Sequence, residues 1–124
     1  MRLRYDGQLL TATVKICYRD KVLELTDIVI DTGSSHTVFS PDALESIGVT
    51  YENGDPVYEA YGLGGTVPFY TKIMDYIQID RFRTDQIEID VGVLPKSHKG
   101  LIGLDILKTY GFVLDLDKLE LYRS

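Results

Sequence analysis

Alternation of apolar and polar residues runs through most of this chain and commits it to strands. Leu10, Ala12, Val14 and Ile16 fall on one face while Thr11, Thr13 and Lys15 fall on the other, the pattern of a half-buried strand. Tyr18-Arg19-Asp20-Lys21 reads as a hairpin connection into Val22-Leu23-Glu24-Leu25, and Ile28-Val29-Ile30 is continuously apolar, as a strand buried on both faces is. Ile73, Asp75, Ile77 and Ile79, then Ile87, Ile89, Val91 and Val93, repeat the period of two, with residues 80–84 as the connection. Residues 112–116 pair naturally with 119–122 across Asp117-Lys118. Two short helices interrupt the pattern. One has Ser40 as cap, Pro41 in the first position, Asp42 complementing the dipole and Gly48 as closure, about two turns in all; the other runs from Leu104 to Tyr110 and ends at Gly111. With 124 residues, no linker and no repeat, the expectation is a mostly β chain forming one domain over 1–124.

Composition narrows the function classes. The net charge of -6 and the absence of a basic run argue against nucleic-acid binding, since Arg81-Phe82-Arg83 is the longest basic cluster. No apolar stretch approaches the roughly 18 residues a membrane span needs, so no membrane partner is expected. Met1-Arg2-Leu3-Arg4-Tyr5-Asp6-Gly7 carries charge where a signal peptide needs an apolar run, which points to a cytoplasmic protein. The single Cys17 has no disulfide partner within the chain and reads as a small core residue, with a reactive thiol as the alternative.

The segment that carries chemistry is Ile28-Val29-Ile30-Asp31-Thr32-Gly33-Ser34-Ser35, where a buried strand delivers a carboxylate into a Gly and Ser turn. An acid in that place costs free energy unless it has a purpose. Thr32 is available to lock the loop, Gly33 to permit close approach, and Ser34 to donate to the carboxylate and favour its ionised form. The competing reading is an Asp that merely opens a turn. The segment resembles the active-site signature of aspartic proteases, and at this length the likeness is to the retropepsin-like, one-domain branch.

Two further motifs support the resemblance. Gly100-Leu101-Ile102-Gly103-Leu104-Asp105 is similar to the family's second signature, an apolar pair followed by Gly before a short helix; the resemblance implies that Leu101, Ile102 and Gly103 thread beside the Asp31 loop and that Gly103 leaves room for the crossing chain. By itself the motif is an ordinary strand-to-helix turn, with Asp105 as a cap. Tyr61-Gly62-Leu63-Gly64-Gly65-Thr66 resembles the glycine-rich flap hairpin that closes over substrate, against a plain hairpin or a phosphate loop, the latter disfavoured because no Gly-Lys-Ser/Thr follows.

The resemblance implies a closed all-β barrel with a flap, working as a homodimer on protein or peptide substrates, with Asp31 catalytic and with Ser35 and His36 lining the cleft. His36 also reads as simply exposed. No cofactor is implied, and neither His36 nor His98 has metal-ligand spacing. Asp90-Val91-Gly92 lacks Thr, and alternation sets Asp90 with Glu88 on the polar face, so it is read as surface and the second aspartate must come from a second chain. Viral relatives usually place an acid at the position of Ser35 and a base at that of Leu104, so residues 119–122 are the candidates for bracing a dimer here. A catalytically silent dimerisation or peptide-binding module is the alternative function.

Overall fold

The computed structural model describes residues 1–62 and 65–123, with the backbone alone at 60–62 and 65. The strands are β1 (Arg4–Tyr5), β2 (Leu10–Tyr18), β3 (Lys21–Ile30), β4 (Val38–Phe39), β5 (Val57–Gly62), β6 (Gly65–Ile79), β7 (Phe82–Gly92), β8 (Gly100–Ile102), β9 (Phe112–Asp115) and β10 (Glu120–Arg123). Two short helices, α1 (Pro41–Leu44) and α2 (Leu104–Leu107), complete the frame. The cap read for the first is present: Ser40 Oγ accepts from the Ala43 amide at 3.1 Å, a 3-10 turn extends the helix through Ile47, and Gly48 closes it in the left-handed region at φ 80°.

β2 and β3 form a hairpin whose turn residues, Arg19 and Asp20, both have positive φ, so the turn twists with its strands. β3 continues through a bulge opposite Ala12 and Val14 and ends at Ile30. From there the order β2-β3-β8-β4-β7-β6 closes on itself through pairing of β6 with β2, Val14 opposite Ile79 and Ile16 opposite Ile77, which makes a six-stranded barrel. Closure leaves no open edge on those strands and gathers Val14, Ile16, Ile28, Phe39, Met74 and Ile102 into a core at 0% exposure.

Three boundaries differ from the sequence reading. Ile73 and Val93 are exposed, at 56% and 73%, while Met74 is fully buried. β6 is a 15-residue strand partnered first by β5 and later by β2, and its twist carries the inward face from Lys72 and Met74 to Ile77 and Ile79. The connection after β6 is only Asp80-Arg81, with φ 55° at Asp80, because Ile79 and Phe82 already pair. α2 stops at Leu107, and turns lead from it to Gly111 at φ 67°.

The terminal sheet is self-contained. β10 pairs with β9 on one side, and on the other Leu121 exchanges bonds with Met1 while the Leu3 amide donates to the Leu119 carbonyl at 2.7 Å.

Candidate active site

β3 brings Ile28, Val29 and Ile30 into the core at 0, 7 and 6% exposure, and the chain then turns out at Asp31. β4 takes it back into the barrel at Val38. β8 lies between the two strands, parallel to β3 with Ile30 opposite Ile102, and antiparallel to β4 with Val38 opposite Leu101. The loop 31–37 therefore straddles the end of β8. This arrangement explains the glycine at 103: a Cβ there would stand 2.5 Å from the His36 carbonyl oxygen and 2.8 Å from that of Ser34, which no side chain tolerates. The close crossing expected at Leu101-Ile102-Gly103 is present.

Backbone bonds hold the loop to that crossing. The Asp31 amide donates to the Ile102 carbonyl at 2.9 Å, and the Leu104 amide donates to the Ser34 carbonyl at 2.8 Å. Asp31 is half-buried at the loop's root, and its Oδ1 accepts the Gly33 amide at 2.9 Å. Thr32, Ser35 and His36 are exposed. Ser34 departs from expectation: its hydroxyl donates to the His36 carbonyl at 2.7 Å rather than to the Asp31 carboxylate, because a carbonyl two residues ahead is within its reach. Ser34 thus closes the loop on itself.

Asp90 is also corrected. It is 7% exposed, because β4 pairs alongside β7 with Val38 opposite Asp90 and its amide donates to the Thr37 carbonyl at 3.0 Å. Burial pushes its carboxyl above the usual aspartate range, His36 opposes this with Nδ1 3.7 Å from Oδ2, and Asp105 and Glu88 reinforce it. Alternation failed here because residues 89–92 are buried on both faces, as a strand flanked by neighbours inside a barrel is.

Sequence reasoning missed Thr37 altogether and treated Asp105 as a cap. Thr37 is fully buried, its amide and hydroxyl donate to the two Asp105 oxygens at 2.8 and 2.7 Å, and its hydroxyl accepts the Gly103 amide at 3.1 Å. The available signal was a Thr just before an apolar strand pair and an acid two residues after an obligatory glycine. Cys17 is buried as expected; burial, then the Asp75 carboxylate beside it, raises its thiol above the ordinary range.

Of the residues expected to form a flap, Tyr61, Gly62 and Gly65 lie on the β5–β6 hairpin with Tyr61 opposite Thr66 and Gly62 opposite Gly65. Leu63 and Gly64 lie outside the described residues.

A closed barrel in which an Asp-Thr-Gly loop straddles the end of a strand followed by an obligatory glycine is the architecture of an aspartic protease domain. The family model described as aspartyl protease matches residues 13–106, and the chain belongs to that family. Among solved structures, the fold is similar to the crystal structure of a retropepsin-like aspartic protease from Rickettsia conorii, at 15% identity and a TM-score of 0.71 over 96% of this chain and 93% of that one. No curated protein matches the sequence.

Proposed function

We propose that the protein is an aspartic endopeptidase whose active site forms between two copies of the chain, each contributing Asp31. The observation that carries this reading is the half-buried Asp31 carboxylate at the root of an outward loop braced by the Gly103 crossing, in a chain with a single Asp-Thr-Gly. A two-fold axis beside exposed Thr32 and Gly33 would bring the second Asp31 to the first.

Two carboxylates at hydrogen-bonding distance share one proton, as in aspartic proteases generally. The ionised Asp31 takes a proton from a bound water as it attacks the scissile carbonyl carbon, and the protonated Asp31 of the other copy donates to the carbonyl oxygen. The tetrahedral intermediate then collapses with proton transfer to the departing amine, leaving a free carboxylate and amine and no covalent enzyme intermediate. In this reading the β5–β6 hairpin acts as the flap, with Tyr61, Gly62 and Gly65, together with Leu63 and Gly64, over the substrate, and Ser35 and His36 at the cleft wall.

Cleavage of a peptide library by wild type and by Asp31→Asn tests the reading. Loss of at least a hundredfold in kcat is expected for the variant. Equal cleavage by the two proteins would refute the mechanism, and no cleavage by either, with folding intact, would favour a silent binding module.

A further inference from the structure

Bonds within the loop 31–37, among them Gly33 on Asp31 and Ser34 on His36, set its shape, while its position in the molecule depends on what holds it to β7, β8 and α2. Its root and middle are held by backbone groups, the Asp31 amide on Ile102 and the Leu104 amide on the Ser34 carbonyl, which almost any side chains permit. Its exit is held by one backbone bond, from the Asp90 amide to the Thr37 carbonyl at 3.0 Å, and by a side-chain cluster. There the Thr37 hydroxyl accepts the Gly103 amide at 3.1 Å and donates to Asp105 Oδ1 at 2.7 Å, and the Thr37 amide donates to Oδ2 at 2.8 Å. Asp105 Oδ1 also accepts the Ile106 amide at 2.9 Å, which ties the carboxylate to the start of α2.

We propose that Thr37 and Asp105 are positioning residues for the active-site loop: the carboxylate, acting through the Thr37 hydroxyl, sets how far the loop stands from β8 and so where Asp31 is presented to its partner. The inference rests on the activity proposed above. Three features support a built clamp. The hydroxyl must donate and accept at once, which Thr and Ser do and Val does not. Among the described residues the carboxylate binds through three neutral donors and no cation, an arrangement that costs desolvation and that plain packing would not need. The clamp also joins the loop to the one place, Gly103, where the crossing strand has no room to shift. Because each half of the site comes from a copy of the same loop, a displacement enters the dyad twice.

The test combines turnover with a measurement independent of it. Asp105→Asn and Thr37→Val are each expected to lower kcat by roughly ten- to a hundredfold with KM changed less than about twofold, as a shift of about 1 Å in a reacting group does. The double variant should be no slower than the slower single one, and Thr37→Ser should restore kcat to within about threefold. In parallel, amide hydrogen exchange over 31–37 should quicken in Asp105→Asn and Thr37→Val while exchange over β2 and β7 stays unchanged. Wild-type kcat in Asp105→Asn, a Thr37→Ser variant as slow as Thr37→Val, or unaltered loop exchange would each overturn the clamp. An active Asp31→Asn variant would instead overturn the proposed activity, and loop exchange alone would then decide whether the clamp holds the loop.

Discussion

At the scale of single residues, close approach and burial decide more than residue type. Gly103 has no spare space because two backbone carbonyls of the loop cross it, so Gly103→Ala should destabilise the protein by roughly 3 kcal/mol and reduce turnover even where it folds. Urea unfolding at neutral pH checks the first effect. Asp90 behaves in the opposite sense. Its folded-state carboxyl titrates above the ordinary 3.8, so the folded chain binds a proton more readily than the unfolded one, and stability falls as pH rises past 3.8. Replacing it by Asn removes that loss. Asp90→Asn should therefore melt at a higher temperature than wild type at pH 7, with the gap closing at pH 3.5. The groups facing Asp90 are His36, Asp105 and Glu88.

At the scale of elements, the hairpin of β5 and β6 is held at its base by charge. Lys72 on β6 is 6% exposed, and its ammonium lies 2.7 Å from Glu52 and 2.7 Å from Asp55 in the loop before β5, with Arg19 also on Glu52. Burial alone would depress the Lys72 ammonium, but the bonds to Asp55 and Glu52 outweigh it and hold it above 10.5. Bonds from Lys72 in turn hold Glu52 and Asp55 below their ordinary values of 4.5 and 3.8. Lowered acid values mean that this stability is present at neutral pH and lost as pH falls through 3.8 and below; the raised lysine keeps it up to 10.5 and loses it above. Lys72→Met is thus expected to lower the melting temperature at pH 7, and the difference from wild type should shrink below pH 3.8. Quicker exchange in 49–56 would locate the effect at the hairpin's base.

At the scale of the whole molecule, the question is how two copies meet. Residues 119–122 are the candidates for bracing a dimer; within one chain β9 takes one side of β10, and on the other Met1 and Leu3 bond Leu121 and Leu119. If the active unit is the dimer, a tenfold excess of Asp31→Asn chains exchanged into wild type should lower activity per wild-type chain roughly tenfold, because most wild-type chains then face an inactive partner. Unchanged activity after subunit exchange would mean that one chain works alone. Much of this molecule was legible beforehand. The period-two segments, the capped helix at Ser40 and the turn after Ile30 all follow from local rules of backbone and side chain, so the sequence alone determined the β class and the place of Asp31. What the tertiary structure decided was everything that depends on a neighbour distant in the chain. Barrel closure buried Asp90 on a face that alternation reads as polar, and the threading of β8 brought Thr37 to Asp105 across 68 residues. A periodic pattern records which face a strand shows to its own sheet, but carries no information about what a closing barrel places on the other side.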